Sequence, residues 1–135
     1  MPRSIRIVLA IVTLLLLQAT GVGEEQDTWD SARGLYRVSF MSSIEPIEIN
    51  RIHEWVIHIE TVDGDPVEQA TLNVVGGMPE HDHGLPTSPR VTAELGDGDY
   101  RVQGLRFHMA GNWLIEIAID DGVRTDSVAI TLTLK

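Results

Sequence analysis

Two histidines one residue apart, His81 and His83, and a methionine ahead of them, Met78, are crowded between turn formers. The stretch is Gly76-Gly77-Met78-Pro79-Glu80-His81-Asp82-His83-Gly84-Leu85-Pro86-Thr87-Ser88-Pro89-Arg90. Side chains of an extended backbone alternate with a period of two, so a His-x-His pair projects both imidazoles to one side, where they can reach the same ion. Met78 can add a thioether across Pro79. Nitrogen with soft sulfur selects copper in either oxidation state, whereas nitrogen with Glu80 or Asp82 leaves zinc or Cu(II) open. Pro79, Pro86 and Pro89 stiffen the segment and lower the entropic cost of a site. The competing reading is a solvated polar loop whose histidines bond backbone carbonyls or nearby carboxylates, since His-x-His alone is a weak signal.

His108 and Met109 form a second group. Neighbouring residues of a strand point to opposite faces, so the two cannot both reach one ion unless the strand bends. Parity puts Met109 inward with Phe107, as core, and leaves His108 outward, the better partner for His81 and His83. His53 and His58 sit on opposite parities of one strand and read as structural, His53 near the core edge and His58 exposed.

Little points to catalysis. There is no cysteine, no Gly-x-Ser-x-Gly elbow and no glycine-rich phosphate loop, and the carboxylates are scattered through turns and strand faces. An oxidative copper enzyme using its amino terminus as a ligand needs histidine first after a signal, and here Val22 or Glu24 stands first. An enzyme would need a pocket built on carboxylates such as Glu80 or Asp82, so the expectation is a non-catalytic chain.

The elements that must position these residues are strands. Alternation marks residues 34 to 41, with Tyr36, Val38 and Phe40 inward, and 52 to 61, with Trp55, Ile57 and Ile59 on one parity and Trp55 as core anchor. Strands follow at 67 to 75, 90 to 95, 100 to 109 with a kink at Gly104, 113 to 120 and 127 to 134, separated by turns such as Asp63-Gly64, Gly96-Asp97-Gly98 and Asp121-Gly122. About seven strands with turn signals every 8 to 12 residues predict an all-β, immunoglobulin-like antiparallel sandwich. No helical period occurs outside the first residues, and no internal repeat is evident.

The 135 residues suffice for one domain. Residues 1 to 21 read as a secretory signal helix: Arg3 and Arg6, an apolar run from Ile7 to Leu17, then small residues at Ala19-Thr20-Gly21. Cleavage is expected after Gly21 or Gly23. The alternative, an uncleaved anchor, meets a run well short of the roughly 20 apolar residues a span needs, so no stable membrane span is expected after cleavage. Residues 22 to 32 read as a flexible acidic tether, with Trp29 docking on the domain formed by residues 33 to 135. The chain is placed in the periplasm or outside the cell, without disulfides. The formal charge is −10, from 10 basic and 20 acidic residues. That sign repels nucleic acid and anionic lipid and suits a cation as partner.

The run from Gly77 to Thr87, followed by Pro89-Arg90-Val91-Thr92 and then Tyr100-Arg101-Val102-Gln103-Gly104-Leu105-Arg106-Phe107-His108-Met109-Ala110-Gly111-Asn112-Trp113, resembles the YtkA-like/FixH-like family of small exported or membrane-anchored bacterial domains. The Met-Pro-x-His-x-His-Gly loop and the Phe-His-Met-x-Gly-x-Trp turn occur together and in order. The resemblance implies an immunoglobulin-like sandwich with links to copper handling and to respiratory oxidase assembly, hence a copper ion or an envelope or respiratory protein as partner. Carried over residue by residue, it singles out Met78, His81, His83, His108 and Met109 as metal ligands. The chain departs from anchored members in lacking a convincing retained span, which argues against a place inside an oxidase complex, and in having Ala110 where proline is expected. Binding should weaken as pH falls through the histidine range, because a protonated imidazole cannot ligate. The deciding distance is from His108 to the His81/His83 pair: ligands already gathered on one ion lie about 4 to 5 Å apart.

Overall fold

Alternating strands bury one face each, and two such faces closing on one another account for the core. In the computed structural model, residues 26–135 are described; the expected signal helix, 1–21, and the start of the tether lie outside them. The strands are β1 (Trp29–Asp30), β2 (Tyr36–Ser42), β3 (His53–Thr61), β4 (Thr71–Met78), β5 (His83–Gly84), β6 (Arg90–Gly96), β7 (Asp99–Leu105), β8 (Gly111–Asp120) and β9 (Thr125–Leu134). They form two antiparallel sheets, ordered β1-β2-β3-β7-β6 and β5-β4-β8-β9. This is the sandwich that the alternation predicts.

The inward parities are those expected. Tyr36, Val38, Trp55, Ile57, Ile59, Tyr100, Val102 and Leu105 are buried from the first sheet, and Val74, Trp113, Ile115, Ile117, Ile119, Val128 and Ile130 from the second. Each large apolar side chain so buried contributes roughly 1.5–3 kcal/mol. No helix among the described residues is long and apolar enough to cross a membrane.

The differences from the expected strands have local causes. β1 and β5 are two residues long, too short to carry a period, so seven alternating runs become nine strands. Within the segment expected as tether, Trp29 pairs with Val38 and stacks on Phe40 at 5.5 Å between ring centroids, an apolar anchor that brings the chain onto the sheet from that residue. β4 begins at Thr71 rather than at 67, because Gln69 takes a positive φ of 58°. The buried Tyr100 hydroxyl fixes this crossing by donating to the Val67 carbonyl at 2.7 Å and accepting from the Ala70 N–H at 3.0 Å. β7 stops at Leu105, so the strand expected to continue to 109 does not reach His108. Just before its end Gly104, at φ +89°, is the extra residue of a bulge, between pairs Glu54 with Gln103 and His53 with Leu105.

The sheets are stitched together by one buried carboxylate. Asp126 on β9 accepts from Ser31 Oγ at 2.6 Å and from the Arg33 N–H at 3.0 Å. Ser31 Oγ in turn accepts from the Tyr36 N–H at 2.9 Å, and the Ala32 N–H donates to the Ser127 carbonyl at 2.8 Å. Burial works to raise the Asp126 pKa, but the bonds from Ser31, Ser127, Arg33 and Leu35 outweigh it and leave the carboxyl below its ordinary value. Nearby, the Tyr36 hydroxyl bonds Asp121. That bond, with the backbone N–H groups of Arg124 and Val123, holds Asp121 below the carboxylate range, while burial and the same bond push the Tyr36 phenol up to about 12.

Both carboxylates titrate lower in the folded chain than in the unfolded one. The stability they supply is complete above the ordinary carboxylate value of about 4 and is lost as pH falls through the lowered folded values. Urea unfolding should therefore show a midpoint that drops on going from neutral pH into this acid window. Asp126→Ala should lower stability at neutral pH by about 2–3 kcal/mol, by leaving buried donors unpaired, and should flatten that acid dependence.

Candidate metal centre

The double glycine that opens the histidine segment is part of a strand. A Cβ on Gly76 would lie 2.5 Å from Ile115 Cδ1 and 3.0 Å from Leu85 Cδ1, and one on Gly77 would lie 2.6 Å from the His83 carbonyl oxygen. Only glycine lets β5 cross so closely. β4 therefore runs on to Met78, and β5 folds straight back on it, pairing Gly84 with Gly77 and His83 with Met78. Between them the turn is closed by the His81 N–H donating to the Met78 carbonyl at 3.0 Å, with Asp82 at φ +53°. The expected loop is thus a tight hairpin followed by the connection to β6.

Residues directly opposite in an antiparallel pair share a face. Met78 and His83 share one, and Met78 turns into the core with 1% of its surface exposed. Its Cε methyl lies 2.7 Å from where a Cβ on Gly111 would stand, and Gly111 has a φ of +124°. The space glycine leaves at the start of β8 receives the methionine of the hairpin. Met78, a ligand candidate by sequence, is a packed core side chain.

Beyond the end of β7, residues 106–110 are not in a strand, so the parity that placed Met109 inward and His108 outward does not govern them. His108 is half-buried, its ring edge-on to Trp113 with centroids 5.4 Å apart and interplanar angle 74°. His83 stands on its other side, centroids 5.8 Å apart. His81 and His83 rings are 6.2 Å apart. The three imidazoles singled out by sequence form one continuous group. Met109 is half-buried against the core rather than inside it, and its carbonyl accepts the Trp113 Nε1–H at 3.0 Å.

The group is open. Its centroid separations exceed the 4 to 5 Å of ligands already gathered on one ion, and among the described residues no three His, Cys, Asp or Glu side chains stand close enough to hold a metal as they are. Nitrogens bound to one ion at about 2.0–2.1 Å lie within about 4.2 Å of each other, so sharing an ion would require further closure of the rings. His81 and His83 are both exposed, so staggered rotamer changes at their side chains can supply it. His108 Nδ1 is buried without a hydrogen-bond partner. It shares that state with His53 Nε2, Trp55 Nε1, Arg101 Nε and Arg106 Nε, so it does not by itself mark a ligand. As they stand, the three histidines do not form a metal-holding group.

The remaining histidines stand apart, as expected. His53 is buried at the core edge with Nδ1 3.0 Å from the Arg51 carbonyl. His58, about a third exposed, lies between Asp99 at 2.7 Å and Glu60 at 3.7 Å. Glu80 and Asp82 are exposed in the hairpin turn. Sequence reasoning missed Trp113 as the platform for His108 and Gly111 as the seat of Met78; the Phe-His-Met-x-Gly-x-Trp spacing was the available signal for both.

A sequence model of the family described as YtkA-like matches residues 30–118, which include both the hairpin and the Trp113 segment. No curated protein matches the chain. Among solved structures, the ZirS C-terminal domain aligns over 97% of this chain and 84% of its own at 13% identity, with a TM-score of 0.42.

Gly111→Ala should lower stability by about 1–3 kcal/mol, through its positive φ and the collision with Met78. Met78→Ala should cost about 2–5 kcal/mol as a core truncation. Gly84, whose Cβ would meet only the Gly76 carbonyl at 3.7 Å, should accept alanine within about 0.5 kcal/mol. Urea unfolding of the three variants measures all three values.

Proposed function

The chain belongs to the YtkA-like family, and on that premise we propose that it is a non-catalytic module that binds or handles copper in the periplasm or outside the cell. The observation that carries the reading is the approach of His83 to His108. Residues 25 positions apart in sequence, on different connections, bring their rings to 5.8 Å, and one of them has an unpartnered buried nitrogen. His81 and His83 supply two imidazoles from a hairpin whose backbone is fixed, and His108 supplies a third from a seat on Trp113. Imidazole suits copper and zinc, and at matched geometry divalent copper binds most tightly of the first-row ions. The formal charge of −10 raises the local concentration of a cation. Export rests on the composition of residues 1 to 21.

A second reading has its own support in the openness of the group. In it the exposed hairpin turn is a contact surface for an envelope or respiratory protein and holds no metal, in keeping with the assembly role that the FixH-like side of the resemblance implies.

Competition titration with Cu(II), and with Cu(I) under reducing conditions, separates the two. One equivalent of copper should bind, and His83→Ala and His108→Ala should each weaken it by about tenfold or more, with unfolding midpoints preserved. Absence of stoichiometric copper would contradict the copper reading and leave the contact surface, and unchanged binding in a His81→Ala/His83→Ala double variant would overturn the proposed site.

A further inference from the structure

We infer that the free edge of β9 is a docking site for an extended, basic segment of another protein, which adds to the second sheet as a further strand; this stands apart from the copper reading above. Sheet edges carry unpaired N–H and C=O groups, and folded chains commonly shorten or distort them. Among the described residues, three of the four edges are treated in that way. β1 and β5 are two residues long, and β6 is broken by register shifts between Val91 and Ala93 and between Glu94 and Gly96. β9 is different. It pairs with β8 in unbroken register from Thr125 to Leu134, and from Ser127 to Leu134 it contains no proline, glycine or charged residue.

The bonds at the start of β9 show which of its groups are open. The Ser127 carbonyl accepts from the Ala32 N–H at 2.8 Å and the Ser127 N–H donates to Asp126 at 2.8 Å, so Ser127 directs its backbone groups away from β8. Direction alternates along a strand, so Ala129, Thr131 and Thr133 direct theirs the same way, and among the described residues these groups find no bond. Across a groove from them, β2 is uncovered beyond Val38, where its pairing with β1 ends. The groove between is apolar: Trp29, Phe40, Ile47, Leu132 and Leu134 pack against the core and stay partly exposed. Its rim is acidic, with Asp27, Glu45 and Glu48 against Lys135, and of these carboxylates only Glu48 has an ion pair among the described residues, with Arg51. A backbone edge selects an extended chain, whose alternate side chains enter the groove, and the rim selects lysine or arginine on the others. A second copy of this chain fits less well, since it brings the same rim and a formal charge of −10.

Hydrogen exchange followed by NMR on the full chain, with and without an acetylated peptide of about eight residues alternating lysine with valine, tests the site. In the free protein the Ala129, Thr131 and Thr133 amides should exchange freely, and the peptide should slow them by about tenfold or more. A peptide with glutamate in place of each lysine should bind about tenfold more weakly or worse. Thr131→Pro removes an outward N–H at an edge, where proline is tolerated, and should weaken the lysine peptide by about tenfold or more with the unfolding midpoint retained. Asp27→Lys with Glu45→Lys, at exposed positions outside the strand, should weaken it likewise. Protection already present in the free protein would overturn the inference, whether constant on dilution, as from residues 1–25 of the same chain, or lost on dilution, as from a second copy. Equal binding of the glutamate peptide, or amides left unprotected by the lysine peptide, would overturn it too.

Discussion

A methionine methyl seated where a glycine has no side chain ties the two histidine-bearing segments together. Met78 ends β4 and Gly111 begins β8, and Gly111 combines a φ of +124° with room for the Met78 methyl. His83 is held opposite Met78 by backbone pairing, and His108 precedes Gly111 by three residues. Pairing of Gly77 with Leu114 brings the end of β4 beside the start of β8, and the non-strand residues 106–110 place His108 with its ring 5.8 Å from that of His83. Trp113 completes the arrangement by presenting a ring edge to His108 and donating its indole N–H to the Met109 carbonyl.

The centre divides into a fixed part and an adjustable one. His108 is half-buried with its ring edge-on to Trp113. His81 and His83 carry exposed side chains on a backbone constrained by close pairing to β4. Ordering two imidazoles on a rigid hairpin costs side-chain entropy but little backbone entropy, which is the larger of the two per residue. Stiffness also comes from elsewhere in the sandwich, where Asp126 gathers donors from the β1–β2 connection onto β9 and Tyr100 pins the crossing into β4.

Much of the sandwich was legible in the sequence because burial on one face leaves a period of two. Trp55, Ile57 and Ile59, and likewise Trp113, Ile115, Ile117 and Ile119, fall inward as their parity says. Parity failed where no strand carried it. Beyond Leu105 the chain leaves the sheet, so the inward place given to Met109 and the outward one given to His108 had no basis in geometry. The glycines at 76 and 77 were read as loop because glycine usually breaks a strand; here two close approaches, by Leu85 and by the His83 carbonyl, require it inside one. Met78 misled for a related reason. Its position beside two histidines suggested a ligand, and only register shows that it faces the core.

The grouping of His81, His83 and His108 was suggested by their order and residue types and required the fold to bring together positions on separate connections. Whether they act as one centre is tested most directly by pulsed electron paramagnetic resonance on the protein loaded with a single equivalent of Cu(II), which counts coordinated imidazoles. Three are expected, falling to two in His108→Ala. One imidazole or none, or a count unaltered by His108→Ala, would contradict a shared centre.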